Sequence, residues 1–273
     1  MKRLALSLFT FFLVMLLVGS VKAGQESGSS SDNPDNSSPN QASLTNRQRA
    51  EMRADIQMAQ KNYASAAADY EVLLQSEPKD APLLNKTGIA YQQLGNFKQS
   101  ERYYKKAVKA DKKFLSAINN LGTLEYQQKR YARAIKYYKK ALVGNEAPSI
   151  YSNLGYAYYA NKEYPEAIAV FTKALALDPN VFDRKGGVGA LVQQRSAPDP
   201  GVFYFLLAKS FAKAGDAERA ARYLKISRDD GYKNYLSAET DPEFAAVAKD
   251  PRVQEVLHVQ PSYVDDGAKV SPN

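Results

Sequence analysis

The sequence predicts an all-α fold, an α-solenoid in which antiparallel helix pairs stack one after another and a helical segment caps the last pair. Two observations predict it. Between about residues 47 and 181 the sequence repeats itself with a period near 34, and a period of roughly 20 to 50 residues is typical of stacked repeats. Within each period, small and aromatic residues recur at the same positions, which indicates that every repeat packs in the same way.

The repeated spacing begins with a glycine. An aromatic residue follows this glycine after nine positions, a small residue follows three positions later, and a second aromatic residue follows four positions after that. A further small residue completes the pattern. In order, the three clearest copies are Gly88, Phe97, Ser100, Tyr104 and Ala107; Gly122, Tyr131, Ala134, Tyr138 and Ala141; and Gly155, Tyr164, Ala167, Phe171 and Ala174.

This spacing has a physical explanation in two antiparallel helices that pack closely. The glycine of the first helix and the small residue of the second let the two backbones approach, and the aromatic residues fill the space beside them. Leu94, Gly95 and Asn96 are expected to form the turn between the two helices of one repeat. Residues 178–180, Asp-Pro-Asn, are expected to end the second helix of a later repeat.

The pattern resembles the tetratricopeptide repeat (TPR). Four consecutive units share its register, at residues 47–80, 81–114, 115–147 and 148–181. A fifth unit at 201–234 follows a connector at 182–200, and residues 235–259 are similar to the short helical cap that ends many arrays of this family. The resemblance implies a right-handed solenoid that binds protein segments. Glu125 departs from the family pattern, which usually has an aromatic residue there.

The chain begins with the pattern of an export signal. Lys2 and Arg3 precede an apolar run over residues 4–18, and small residues follow, so we expect a signal peptide at residues 1–23. A retained membrane anchor is the alternative, although this run of 15 residues falls short of the roughly 20 that span a bilayer. Export implies a periplasmic or extracellular location.

Two further segments are predicted to be flexible because they hold few apolar side chains and cannot form a core. They are the tether at residues 24–44 and the tail at 260–273. Cleavage of the signal would also change the charge, since it would remove three positive residues and lower the net charge of the chain from +8 to +5.

The composition excludes several kinds of catalytic site. The chain has no cysteine and a single histidine, His258, so it cannot form a disulfide, a thiolate metal site or a cage of histidines. We expect His258 and the tail pair Asp265 and Asp266 to be solvated rather than to bind a metal. The sequence shows no convergent set of nucleophile, acid and base, so we predict no enzyme activity, no cofactor and no metal.

Residues 184–190 (RKGGVGA) are similar to the start of a nucleotide-binding loop. That chemistry needs a lysine and then a serine or threonine, placed between a strand and a helix. Ala190 and Leu191 occupy those two places. We therefore interpret the segment as part of the connector and expect no nucleotide. Nucleic acid is not expected as a partner of an exported protein.

The resemblance implies that the first helix of each unit lines a concave groove. Side chains that flank the glycine are then expected to point into it, where asparagine amides bind a peptide backbone and tyrosines supply rigid contact area. The predicted groove residues for a protein or peptide partner are Asn85, Lys86, Asn119, Asn120, Asn153, Tyr126, Tyr156 and Tyr159. The alternative is that these asparagines are ordinary repeat residues and the tyrosines serve packing.

Positive charge is concentrated on two units. From residue 95 to residue 140 there are 13 lysines and arginines against three acidic residues, and most of them lie on second helices. The predicted basic face consists of Lys98, Arg102, Lys105, Lys106, Lys109, Arg133, Lys136, Lys139 and Lys140. Such a field attracts phosphate-rich or carboxylate-rich surfaces. A solvated outer face without a partner is equally compatible with the sequence.

Together these features predict a non-catalytic protein–protein interaction scaffold of the bacterial cell envelope or exterior, which binds a partner segment in the concave groove. Attachment to a polyanion or an anionic membrane or envelope surface through the basic face is the alternative. An accessory subunit of an exported enzyme or secretion system also fits the sequence.

Overall fold

The computed structural model of the protein describes residues 45–182 and 199–258. These described residues belong to one compact unit. The predicted signal peptide, the tether, the glycine-rich loop of the connector and the tail lie outside the described residues. Within the described ranges, all regular structure is helical.

Helices pair in sequence order and confirm the predicted all-α solenoid. Each helix packs on the next one along the chain. The first four pairs are α1 (Asn46–Ala59) with α2 (Tyr63–Ser76), α3 (Ala81–Gln93) with α4 (Phe97–Ala110), α5 (Leu115–Gln127) with α6 (Tyr131–Ala141), and α7 (Pro148–Ala160) with α8 (Tyr164–Leu177). The fifth pair is α9 (Pro200–Lys213) with α10 (Ala217–Asp229), and it packs on α8 through α9.

Local sequence explains where many of these helices begin. A side-chain oxygen before the helix accepts a hydrogen bond from a backbone N–H of the first turn, which satisfies a donor that the helix itself leaves free. Thr45 does this as part of a capping box with Gln48. Asp80, Asn96, Asp199 and Asp216 cap α3, α4, α9 and α10 in the same way.

The turn inside each pair uses one residue in the left-handed region. This residue has φ of 64° at Lys61, 72° at Gly95, 59° at Lys129, 65° at Lys162 and 78° at Gly215. A side chain with a Cβ is strained in this region by about 1–2 kcal/mol, so three of the five turns carry a cost that glycine avoids in the other two.

Lys129→Gly is therefore expected to raise the free energy of unfolding by about 0.5–1 kcal/mol, as measured by urea denaturation. Lys136, which is exposed in the middle of α6, provides the matched control. There the same substitution removes a helix-favouring residue and should lower the free energy of unfolding by about 1 kcal/mol. A destabilising Lys129→Gly would show that the lysine is not strained in the turn.

Close approach of the helices depends on the glycine of the repeated pattern. A Cβ added to Gly88, Gly122 or Gly155 would lie 2.3–2.7 Å from the nearest ring atom of Tyr104, Tyr138 or Phe171. Real Cβ atoms do not approach other atoms this closely. The ring of the second helix therefore lies directly on the backbone of the first, as the sequence spacing predicts.

The last pair is covered by two 3-10 segments, Lys233–Glu239 and Pro242–Phe244, and by α11 (Pro251–His258). Phe244 is fully buried, with its ring centroid 5.9 Å from that of Phe205 in α9. Beside it, Lys209 forms ion pairs of 2.8 Å with Asp241 and with Glu243. These contacts hide the apolar side of α9 that a sixth repeat would otherwise cover.

Candidate functional site

The first helices of successive repeats lie against one another. α3 contacts α5, and α5 contacts α7, in addition to the contacts of each helix with its neighbours along the chain. We call the side formed by these first helices the inner face, and the side formed by the second helices α2, α4, α6 and α8 the outer face. The predicted groove residues lie on the first helices, and the predicted basic face lies on the second.

On the inner face, a polar side chain of one repeat bonds to a polar side chain of the repeat before it. The three bonds occupy equivalent positions, 34 or 35 residues apart, and we call them latch bonds. They join Lys86 Nζ to Glu51 Oε1 at 2.8 Å, Asn120 Nδ2 to Asn85 Oδ1 at 2.9 Å, and Asn153 Nδ2 to Asn119 Oδ1 at 3.0 Å.

The latch bonds change the interpretation of the predicted groove asparagines. Asn85 and Asn153 are buried. Their side-chain amides, which were predicted to bind a partner, instead form hydrogen bonds between neighbouring repeats. Lys86 is also held within the protein, since it forms a second ion pair with Asp55 at 2.7 Å. Burial opposes the charge of Lys86, but its bonds to Asp55 and Glu51 raise its pKa above the ordinary lysine value.

The series of latch bonds stops between the fourth and fifth repeats. The next acceptor position is Ser152, which is 1% exposed and whose Oγ has no hydrogen-bond partner within the described residues. The next donor position falls on Leu206, which is buried and apolar. The fifth repeat is therefore joined to the fourth without a latch bond, through apolar and aromatic contacts.

Tyr126, Tyr156 and Tyr159 do not provide the open contact area expected of groove residues. All three are at most 4% exposed, because aromatic neighbours from adjacent helices cover them. Tyr156 stacks on Phe203 at 5.3 Å between ring centroids. Tyr159 lies at the same distance from Phe203, and burial raises its pKa to about 12. This corrects the expectation for the tyrosines: Tyr156 and Tyr159 pack the junction between the fourth and fifth repeats, and Tyr126 packs against Tyr131 of its own repeat at 5.3 Å.

The hydroxyl of Tyr159 also reaches the start of α9. It donates a hydrogen bond to the backbone oxygen of Asp199 at 2.5 Å and accepts one from the Asp199 backbone nitrogen at 3.0 Å. Every residue of α7 from Ser152 to Ala160 is buried. Residues 152–160 of the fourth repeat therefore present no exposed side chain on the inner face.

The inner face remains partly open at the second and third repeats, where most of the accessible polar side chains are amides. Gln92 Nε2 donates to Gln127 Oε1 at 2.8 Å, and Tyr104 donates to Gln92 Oε1 at 2.6 Å. These glutamines are not among the predicted groove residues, although their spacing of 35 residues equals that of Asn85 and Asn120. We call the five partly or fully exposed amides the amide strip: Gln92, Gln93, Asn119, Asn120 and Gln127.

On the outer face, all nine residues of the predicted basic face are exposed. They belong to α4 and α6, where the opposite sides of the helices carry the buried rings of Tyr104 and Tyr138. These two helices contain nine basic residues and a single acidic residue, Glu101. The structure therefore presents the basic residues together on one side of the array.

Other candidate sites are limited. Among residues 45–182 and 199–258, no group of three histidine or acidic side chains is arranged to hold a metal ion. Over the same ranges, no helix has the length and apolar content needed to cross a membrane. His258 is exposed at the end of α11, and its Nε2 lies 2.8 Å from Gln254 Oε1.

Comparison with known families identifies the repeats. Two models described as the tetratricopeptide repeat match the chain, one at residues 85–148 and the other at residues 148–181. The chain contains tetratricopeptide repeats at residues 85–181. The matches cover the second, third and fourth helix pairs, which we now call TPR units, as we do the first and fifth pairs. No curated protein matches the chain.

Solved structures that are similar to this protein include MamA from Desulfovibrio magneticus RS-1, with 16% identity and a TM-score of 0.48 over 70% of this chain and 98% of that one. The TPR protein TTC0263 of Thermus thermophilus has 17% identity and a TM-score of 0.48 over 71% and 100%. YrrB, described as a TPR protein with an unusual peptide-binding site, has 16% identity and a TM-score of 0.45 over 70% and 91%.

The structure also explains why the third TPR unit tolerates Glu125. This glutamate is buried, and Arg130 at the start of α6 donates to its carboxylate. The guanidinium of Arg130 is partly exposed and also donates to Gln128 Oε1 at 2.6 Å. Hydrogen bonding to Glu125 raises the pKa of Arg130. An ion pair therefore fills a place where TPR units usually have an aromatic side chain.

Proposed function

We propose that this protein is a non-catalytic scaffold that acts in the bacterial cell envelope or outside the cell. It binds an extended segment of a partner protein along the inner face of its second and third TPR units. TPR proteins mediate protein–protein interactions, which supports the general role. The observation that carries the specific proposal is the amide strip, because it is the open polar part of the inner face.

Amide side chains suit recognition of a peptide backbone. Each one both donates and accepts hydrogen bonds, and so it can bond to the N–H and C=O groups of an extended chain whatever the side chains of that chain are. The strip runs from α3 to α5 across the Gln92–Gln127 bond. Because latch bonds and the Tyr104 hydroxyl hold neighbouring side chains in place, the strip loses little conformational freedom when a partner binds.

The strip consists of neutral amides, and the cation beside it, Lys86, is held by Glu51 and Asp55. This chemistry favours binding rather than acid–base or nucleophilic catalysis. Location in the envelope or outside the cell rests on the sequence of residues 1–23, with its basic start and apolar run.

The proposal is tested by placing a photo-crosslinking amino acid at Gln93 or at Asn119 in cells that contain the full chain. We expect both positions to capture the same protein, and to do so in the envelope fraction or the medium. Gln75, which is exposed on α2 of the outer face, is the matched control and should not capture it. Equal capture from Gln75 would contradict binding at the strip, and capture confined to the cytoplasm would contradict the location.

The same experiment is extended with Asn120→Ala combined with Asn153→Ala. This variant should weaken capture and keep its helical content. It also breaks two latch bonds, so we expect its free energy of unfolding to fall by about 1–3 kcal/mol. Capture must therefore be measured well below the unfolding temperature. Unchanged capture by the folded variant would show that the partner does not use the Asn120 amide.

A further inference from the structure

The basic face, defined above by its nine residues on α4 and α6, keeps its charge largely unneutralised. Of these nine residues, only Lys105 has a carboxylate of another described residue within 4 Å, that of Glu101 at 2.6 Å. Lys106 lies over the ring of Tyr103 at 5.0 Å. Cation–π contact of this kind holds the side chain in place without cancelling its charge, so the positive charge remains available to a partner.

The two helices present this charge as one surface. Val108 of α4 and Tyr137 of α6 both pack against a single buried cluster formed by Tyr104, Leu121 and Leu124. α4 and α6 are therefore held side by side by a common core. Their exposed lysines and arginines therefore lie on the same side of the array.

The field is confined to the second and third TPR units. On the outer helix before them, α2, the charged residues are Asp69 and Glu71. On the outer helix after them, α8, Glu166 is balanced by Lys173. A partner attracted by positive charge is thus directed to α4 and α6.

A single apolar residue lies at the end of this surface. Val143 is 76% exposed, the highest value among the exposed large apolar residues of the described chain. Its backbone N–H bonds to the oxygen of Lys140 at 3.3 Å, and that of Leu142 bonds to Tyr138 at 3.0 Å, so the last turn of α6 continues to it. Val143 therefore lies one turn beyond Lys139 and Lys140, on the same side of the helix.

An exposed apolar side chain next to clustered lysines is the combination that protein surfaces use at a lipid interface, where the apolar group enters the headgroup boundary and the cations meet phosphates. Seven of the nine basic residues are lysines. Lysine acts as a hydrated point charge, whereas arginine favours the bidentate geometry of one defined carboxylate or phosphate. A broad lysine surface therefore suits an array of phosphates better than a single acidic peptide.

We propose that the basic face and Val143 dock this protein on the surface of an anionic lipid bilayer. Lipid phosphates meet the lysines and arginines of α4 and α6, and Val143 enters the interface at the end of α6. This surface lies on the opposite side of the helix pairs from the amide strip, so membrane docking and partner binding can occur together and are tested separately.

The test is co-sedimentation of the full chain with vesicles of phosphatidylcholine, with or without phosphatidylglycerol, at about 0.05 M and about 0.5 M salt. Lys105→Glu, Lys136→Glu and Lys140→Glu combined should weaken binding to the anionic vesicles at least ~100-fold at low salt. Wild-type binding should also fall steeply at high salt, because salt screens exposed charges.

A matched control carries the same change in net charge elsewhere. Lys79, Lys213 and Lys225 are exposed and lie outside α4 and α6, so reversing these three to glutamate should alter vesicle binding by less than about threefold, because charges beyond about 10 Å are screened. Residues 1–23 are the same in every variant and contribute equally to each measurement. Equal losses from the two triple variants would overturn the proposal.

Val143→Asn, which removes the apolar group without adding a charge, separates a lipid surface from a soluble polyanion. We expect it to weaken binding to anionic vesicles about tenfold, because an apolar group leaves the interface, and to leave binding to soluble polyphosphate unchanged. If vesicle binding did not change, the face would be a general polyanion surface and the lipid proposal would be wrong. Circular dichroism of each variant verifies that the helices remain folded.

Discussion

Gly155→Ala is expected to lower the free energy of unfolding by about 3 kcal/mol. The new Cβ would lie 2.3 Å from Cε1 and 2.4 Å from Cδ1 of Phe171, well inside van der Waals contact. Phe171 has no free space to move into, because it is fully buried and its ring packs against those of Tyr156 and Phe182 at 5.5 and 5.3 Å. The two helices of the fourth TPR unit must therefore separate, which costs the energy of an overpacked core.

Urea denaturation of wild type and variant measures this loss. Gly95→Ala is the control, because nothing lies within 4 Å of its added Cβ and only the strain of a φ of 72° opposes it, at about 1–2 kcal/mol. A second variant adds Phe171→Leu to Gly155→Ala. The fifth unit already uses this pair, with Ala208 and Leu224 buried at the same spacing of 16 residues, so part of the lost stability should return.

If Gly155→Ala cost no more than Gly95→Ala, contact with the Phe171 ring would not be the reason for glycine at this position. Failure of Phe171→Leu to restore any stability would lead to the same conclusion, since the smaller side chain removes the ring atoms that the new Cβ meets.

Phe203→Ala is expected to lower the free energy of unfolding by about 3–5 kcal/mol. Phe203 is fully buried at the start of α9, and its ring lies within 5.3–6.2 Å of the rings of Tyr156, Tyr159 and Phe171 from the fourth unit. No latch bond joins these two units, because the place of an asparagine is taken by Leu206. Aromatic packing around Phe203 therefore joins the fifth unit to the fourth where the other units have a latch bond.

The variant should also change how the protein unfolds. In a repeat array, stability is a sum of terms within units and terms between neighbours, so a weak junction lets the fifth unit and its cap unfold before the others. Hydrogen exchange should show faster exchange in α9 and α10 than in α3 to α6. Leu236→Ala, at a side chain that is 50% exposed, is the control and should change little. Uniform loss of protection in every helix would contradict a separable junction.

Much of the fold could be predicted from the sequence because the contacts that define a TPR unit are local. Gly88 and Tyr104 are 16 residues apart, and their packing depends only on the turn that joins two neighbouring helices. The register of Phe97, Ser100 and Ala107 specifies the same contact surface in each repeat. Periodic spacing therefore carries the information needed to identify the pairs and their order.

The candidate groove could be predicted only in part, since most of its side chains meet a residue from an adjacent repeat. Asn85 and Asn120 have the residue types that bind peptides, but together they form a bond within the protein. Tyr156 and Tyr159 meet Phe203, which lies beyond the connector at residues 182–200. Spacing alone does not indicate whether such a side chain faces solvent or a neighbour.

The sequence by itself determined the helical pairs, their TPR register and the concentration of basic residues on two second helices, because these properties follow from periodicity and helix geometry. Only the tertiary structure decided which polar residues of the inner face remain open. Stacking brings equivalent positions of adjacent repeats within hydrogen-bonding distance, so Asn85 and Asn120, which are 35 residues apart, bond to each other. The five amides of the strip nevertheless stay partly or fully exposed.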